Sequence, residues 1–146
     1  MDKRIFAVLG IFAIVMIGCA YAAEPADSLD NNTVTISDVN FTIPEGLTEN
    51  LDEAVVNESN SDDGYNYVTN TRSFENEDHL LLISVNDYEQ NITDDLIKDV
   101  GEKTTINNVT GYFEDMGFLA LFTYIQDGKV VVITADDKDI VEETVC

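Results

Sequence analysis

The run from Phe118 to Ala135 constrains the fold of this chain more than any other stretch. Asp127-Gly128 divides it into two apolar halves, and Asp-Gly is the dipeptide that accepts the positive φ of a type I′ two-residue turn. In that register Ile125 faces Val130, Tyr124 faces Val131 and Phe122 faces Ile133. One face of the hairpin carries Phe118, Ala120, Phe122, Tyr124, Val131, Ile133 and Ala135, and the other carries Leu119, Leu121, Ile125, Val130 and Val132. Both faces ask for burial, because a wet one forgoes about 25 cal/mol for each Å² of apolar area. Leu80-Leu81-Leu82-Ile83 makes the same demand. These segments predict central strands of an α+β domain, an antiparallel sheet with helices packed on both faces. The alternative gives one of those faces to a subunit or partner.

Other segments supply the remaining elements. Val34 to Ile36 and Val39 to Ile43 alternate around Ser37-Asp38 as a hairpin, which Pro44-Glu45-Gly46 ends. Leu47, Leu51, Ala54 and Val55 recur at helical spacing behind Thr48, so a short amphipathic helix is expected there. Asn57 to Asp63 has no apolar residue and reads as a loop. Tyr65 to Phe74 and Leu80 to Val85 read as strands around the polar turn Glu75 to Asp78. Thr93 is placed to cap a helix over Asp94 to Val100, with Ile92 and Ile97 as a hydrophobic staple and Gly101 as its stop. Thr104 to Ile106 and Val109 to Glu114 pair about Asn107-Asn108. Asp136 or Asp137 caps a last helix whose inward stripe is Ile140, Val141 and Val145.

The N-terminus addresses location. Lys3-Arg4 precede an uncharged run from Ile5 to Ala23, the layout of an export signal, and acidic sequence begins at Glu24. Ala20-Tyr21-Ala22 offers a cleavage site that would release a secreted chain. Met16-Ile17-Gly18-Cys19 offers a lipobox, with Cys19 as the lipidated residue of a lipoprotein. A retained helix is the third outcome, since 19 uncharged residues at about 1.5 Å each span about 28 Å of bilayer. The expected organisation is a signal peptide or membrane anchor over 1–23, a polar tether over 24–32 and a single exported domain over 33–146. The protein is thus expected outside the cytoplasm, secreted or held on the outer face of the cell membrane through its N-terminal segment.

Charge narrows the partners. With Ala23 as the first mature residue, 5 basic and 28 acidic side chains remain, a net charge of −23. Nucleic acid is excluded by the missing basic footprint, and anionic headgroups repel such a surface. A solvated coat accounts for most of this charge, and a cationic partner or weak divalent-cation binding for a sharper use of it. Five N-x-[ST] sequons, at Asn31, Asn40, Asn57, Asn91 and Asn108, exceed the roughly 1.7 that 13 Asn produce by chance and suggest the acceptors of a glycoprotein, the alternative being turns and caps collected by an Asn- and Thr-rich chain. Cys146 would be alone in the cleaved chain, so no internal disulfide framework is expected and the fold rests on its core.

Chemistry is sparse. His79 is the only histidine and would need a nucleophile and an orienting group to act as a base. The pairs Asp62-Asp63, Asp94-Asp95 and Asp136-Asp137 can do acid/base work only if they converge, and Asn60-x-Asp62-Asp63-Gly64 lacks the spacing of a calcium loop. No catalytic residue, metal ligand or cofactor is assigned. The expected partner surface is the Asn57 to Asp63 segment, with Asp62 and Asp63, and the edge around Tyr65 and Tyr67.

Three phrases carry a resemblance. Val39-x-Phe41-x-Ile43-Pro44-Glu45-Gly46-Leu47, Ile106-Asn107-x-x-x-Gly111-Tyr112 and Phe122-x-Tyr124-x-x-x-Gly128-Lys129 resemble small uncharacterised exported proteins of methanogenic archaea. More distantly, the order of elements is similar to PsbP-like domains. That resemblance implies an antiparallel sheet flanked by helices and a role in binding or assembly, and it carries over no catalytic residue. The resulting expectation is an acidic cell-surface domain acting as a non-enzymatic binding or envelope module for an extracellular protein or glycan. A small carboxylate-dependent hydrolase and a purely structural spacer are the alternatives.

Overall fold

The computed structural model describes residues 32–145. The signal or anchor, the tether up to Asn31, Cys19 and Cys146 lie outside the described residues, as does the sequon Asn31.

The chain first makes the hairpin β1 (Thr33–Ile36) and β2 (Val39–Thr42). Then come β3 (Thr48–Glu49), β4 (Val55–Asp62), β5 (Tyr65–Glu75) and β6 (Leu80–Tyr88). After a connection over 89–101 follow β7 (Glu102–Ile106), β8 (Val109–Asp115), β9 (Ala120–Gln126), β10 (Lys129–Ala135) and helix α1 (Lys138–Thr144). Four hairpins turn on adjacent residues of positive φ, Ser37-Asp38, Asp63-Gly64, Asn107-Asn108 and Asp127-Gly128, which is the type I′ geometry. The last of them has the expected register, with Ile125 opposite Val130 and Phe122 opposite Ile133.

The main sheet runs β3-β5-β6-β10-β9-β8-β7, with β4 also paired to β5, and every pairing in it is antiparallel. It consists of two meanders, β4-β5-β6 and β7-β8-β9-β10, joined where β6 pairs with β10. One face is closed. Leu81, Ile83 and Val85 of β6, Val131 and Ile133 of β10, and Phe122 and Tyr124 of β9 pack there against Phe41 of β2 and Ile140 and Val141 of α1. The Asp137 side chain accepts from Asp139 N at the start of α1, and Thr144 Oγ1 donates 2.7 Å to Ile140 O inside it. Phe41 and Val145 form a bridge that ties the first hairpin to the end of the chain.

The α+β expectation with helices on both faces, and with it the PsbP-like architecture, is corrected. Of the described residues 57% lie in strands and 11% in helical turns, with one α-helix, so the fold is sheet-dominated. The helix expected from Leu47 to Val55 is instead β3, a 3-10 turn over Leu51–Glu53 and the start of β4. Its cap is Asn50, whose side chain accepts from Asp52 N, and Leu51 is 74% exposed, so the apolar spacing has no surface to cover. The helix expected over Asp94 to Val100 is a single 3-10 turn, Asp94–Leu96, after which the chain bends into β7. The loop expected over Asn57 to Asp63 is strand, because Asp63-Gly64 closes a hairpin and β5 supplies its pairing partner. Phe118, expected on the buried face, lies in the β8–β9 turn and is 70% exposed.

Candidate binding face

The second face of the sheet is covered unevenly. The 89–101 connection crosses one part of it, where Ile97 is buried with Tyr112 and Val130 and where Ile92 and Leu96 pack alongside. Tyr112 donates its hydroxyl to Asp94 Oδ2 at 2.7 Å, which fastens the connection to β8 and, with burial, holds the phenol above its usual pKa. Beyond it the face is less covered, although Ser73 and Thr123 within it are buried and Val132 packs against the Ile97 cluster. Register places Ser73 of β5, Leu82 of β6, Thr134 of β10, Leu121 of β9 and Glu114 of β8 in one row across five strands. The next row reads Thr71, Ser84, Val132, Thr123 and Tyr112. Leu80, Leu82, Leu119, Leu121 and Val132 are only half-buried there. The alternation that buries Leu81, Ile83, Val131 and Ile133 necessarily presents these side chains on the other side.

Toward the β4–β5 tip this face turns polar and aromatic. Tyr67 and Tyr88 face each other across β5 and β6 with rings stacked 4.6 Å apart, and Tyr65 meets Tyr88 edge-on at 5.8 Å. Desolvation, then the neighbouring Tyr67, Asp62 and Tyr65, raise the Tyr88 pKa, so it remains a neutral hydroxyl. Asn60 Nδ2 donates to Thr69 Oγ1 at 2.9 Å, Thr69 Oγ1 to Asn86 Oδ1 at 2.7 Å, and Asn86 Nδ2 to Val130 O at 3.2 Å. This chain of bonds locks four strands together side by side. Ser73 is 1% exposed and its hydroxyl has no partner.

The expected partner residues are thus partly gathered. Asp62 stands directly opposite Tyr65, and Asp63 occupies the tip beside Gly64. Tyr88 and the Asn60–Thr69–Asn86 network belong to the same region and escaped sequence reasoning. Their signal was the alternation of Tyr67, Thr69 and Thr71 with Ser84, Asn86 and Tyr88 once the two strands are laid in register. Asn40, Asn57, Asn91 and Asn108 are all exposed, and they sit on the β1–β2 hairpin, the β4 bulge, the 89–101 connection and the β7–β8 turn. None of them falls on the open apolar rows.

The residues weighed for chemistry are dispersed. His79 Nδ1 lies 3.4 Å from Asp136 Oδ1, which accepts from Leu80 N, but the ring nitrogen is buried without a hydrogen-bond partner, so the carboxylate does not orient it. Asp94 holds Tyr112, Asp95 pairs with Lys98 at 3.4 Å, and Asp137 caps α1. Among the described residues no group of three or more His, Cys, Asp or Glu is arranged to hold a metal ion. A shallow depression between Thr48–Asp52 and Glu75–Glu77 collects carboxylates, of which Glu49 is engaged by Arg72 through two bonds at 2.7 and 2.5 Å. No helix among the described residues is long and apolar enough to cross a membrane. No family model matches the chain, and searches of curated proteins and of solved structures return no match.

Proposed function

We propose that this chain is an exported, non-enzymatic binding module of the cell exterior, secreted or anchored by its N-terminal segment, whose working surface is the open face of the sheet. The carrying observation is that face, with Leu80, Leu82, Leu121 and Val132 half-buried between acidic strand ends. Central strands with two apolar faces gain from covering both, and the chain's own elements cover one fully and the other in part. Four exposed sequons placed away from those rows agree with a glycosylated exterior that leaves the face free. The test presents the protein to immobilised peptides, glycans and ester substrates, with Leu82→Ser and the pair Asp62→Asn/Asp63→Asn as variants. Saturable binding without product, lost in Leu82→Ser, is expected.

A second reading, a small hydrolase, rests only on the nearness of His79 to Asp136, 3.4 Å without a hydrogen bond. Turnover of an ester or peptide bond that His79→Ala abolishes would move the protein to that class.

A further inference from the structure

We propose that the open face receives a cationic amphipathic helix of a partner protein, laid along β6, β10 and β9; this rests on the binding-module reading above. The width of the face fits that occupant. Leu80 and Leu82, Val132, and Leu121 lie on three adjacent strands, and the strands outside them carry Glu75 opposite Leu80 and Glu114 opposite Leu121. Five neighbouring strands are separated by four gaps of about 4.8 Å, so the two glutamates stand about 19 Å apart across the sheet, offset by two residues along the strands. A helix with its side chains is about 10–12 Å across, and lysine or arginine stems reaching sideways from its apolar stripe span the rest.

Charge selects the sign. The apolar rows end at Glu75 on one side, Glu114 on the other and Asp136 at the end of β10, and Glu75 and Glu114 are exposed. His79 leans on Asp136, and the lysine nearest in register, Lys103, is on β7 opposite Tyr112, one strand beyond Glu114. A second copy would bring the same acidic ends against each other in a chain of net charge −22, which like-charge repulsion opposes. An anionic lipid surface meets the same barrier. A basic helix alone gains from both the leucines and the rim.

The experiment uses the full chain in the form its own export produces, titrated into two fluorescein-labelled helical peptides that share one leucine stripe and differ only in lysine or glutamate flanks. Anisotropy should report saturable binding of the lysine peptide, weaker by about tenfold or more for the glutamate peptide. Glu75→Lys/Glu114→Lys changes exposed residues, the first at the loss of the Asn50 Nδ2 to Glu75 Oε2 bond of 3.2 Å, so its fold is checked by its melting curve, and it should invert the preference. Leu82→Ser should weaken both peptides, and its melting curve shows that it is folded. Equal binding of the two peptides, or a preference indifferent to the double charge reversal, overturns the proposal, as does a dimer in sedimentation equilibrium that Leu82→Ser dissolves. If neither peptide binds while glycans or other peptides do, the helix proposal fails and the module reading stands. If nothing binds, both fail.

Discussion

Gly111 shows how one missing methyl group sets the packing of the second meander. A Cβ there would sit 2.8 Å from the Tyr124 Cβ and closer still to the Thr123 carbonyl oxygen, and a backbone atom cannot yield. Gly111→Ala should therefore destabilise the fold by about 2–3 kcal/mol or more, read as a lower urea midpoint with an unchanged slope. Ser73 points the opposite way. Its buried hydroxyl has no partner and its ring of neighbours is apolar on one side at Leu82, so Ser73→Ala should be neutral or stabilising by up to about 1 kcal/mol in the same measurement. A loss above that would mean the hydroxyl is bonded in solution. At this scale the chain is legible wherever a dipeptide dictates the backbone. Asp127-Gly128 located its hairpin and register because apolar strands flank it. Asp63-Gly64 is the same turn at φ 51 and 84, yet its upstream strand, Val55–Asp62, has no apolar residue after Val56, so hydrophobic alternation was silent there.

Among elements, periodicity misled where it was short. Leu47, Leu51, Ala54 and Val55 have helical spacing, but Thr48–Glu49 pairs with the end of β5 and pulls the chain into the sheet before a turn of α-helix can form. Three to four residues of propensity cannot outweigh a ladder already present, given the high cost of helix nucleation. Ile92 and Ile97 share one apolar cluster with Tyr112 and Val130, but from either side of a 3-10 turn and not as the staple of a helix. Asp137 and the inward Ile140 and Val141 were legible because a cap and an apolar stripe agreed. The covering connection depends on Tyr112. Its neutral hydroxyl donates to the Asp94 carboxylate, and this raises its folded pKa above the unfolded value near 10. The stabilisation is therefore complete below about pH 10 and is lost as pH rises through the higher folded value. Tyr112→Phe should melt lower than the parent at neutral pH and show a smaller further drop as pH is raised above about 10. Part of the alkaline loss should persist, because burial also raises the pKa of Tyr124 and, with its neighbours, that of Tyr88. Parallel alkaline curves for the two proteins would count against the Tyr112–Asp94 bond.

For the whole molecule, net charge is the dominant long-range term. With 29 acidic and 7 basic residues, carboxylates repel one another across the entire surface, and salt screens exposed charges beyond about 10 Å at 0.1 M. Melting temperature should rise with ionic strength from near zero to about 0.5 M, and rise further with divalent cations. A flat response would mean that contacts such as Arg72–Glu49 and Lys98–Asp95 already compensate the charge locally. The sequence asks for burial on both faces of the central strands, whereas the structure closes one face and covers the other only in part, and not with helices. Helices are the common answer, and the described residues contain one α-helix, on the closed face.

The joining of two meanders at β6 and β10 also sets an order of events. Within each meander, neighbouring strands are linked by tight turns and can zip together in microseconds. Asn86 and Val130, which meet across the seam, are 44 positions apart, so the halves must close a long loop before that pairing returns any energy. Docking along the seam is therefore the expected slow step of folding. Substitutions such as Ile83→Val or Ile133→Val should retard refolding, while changes at the Ser37-Asp38 turn should act mainly on the rate of unfolding.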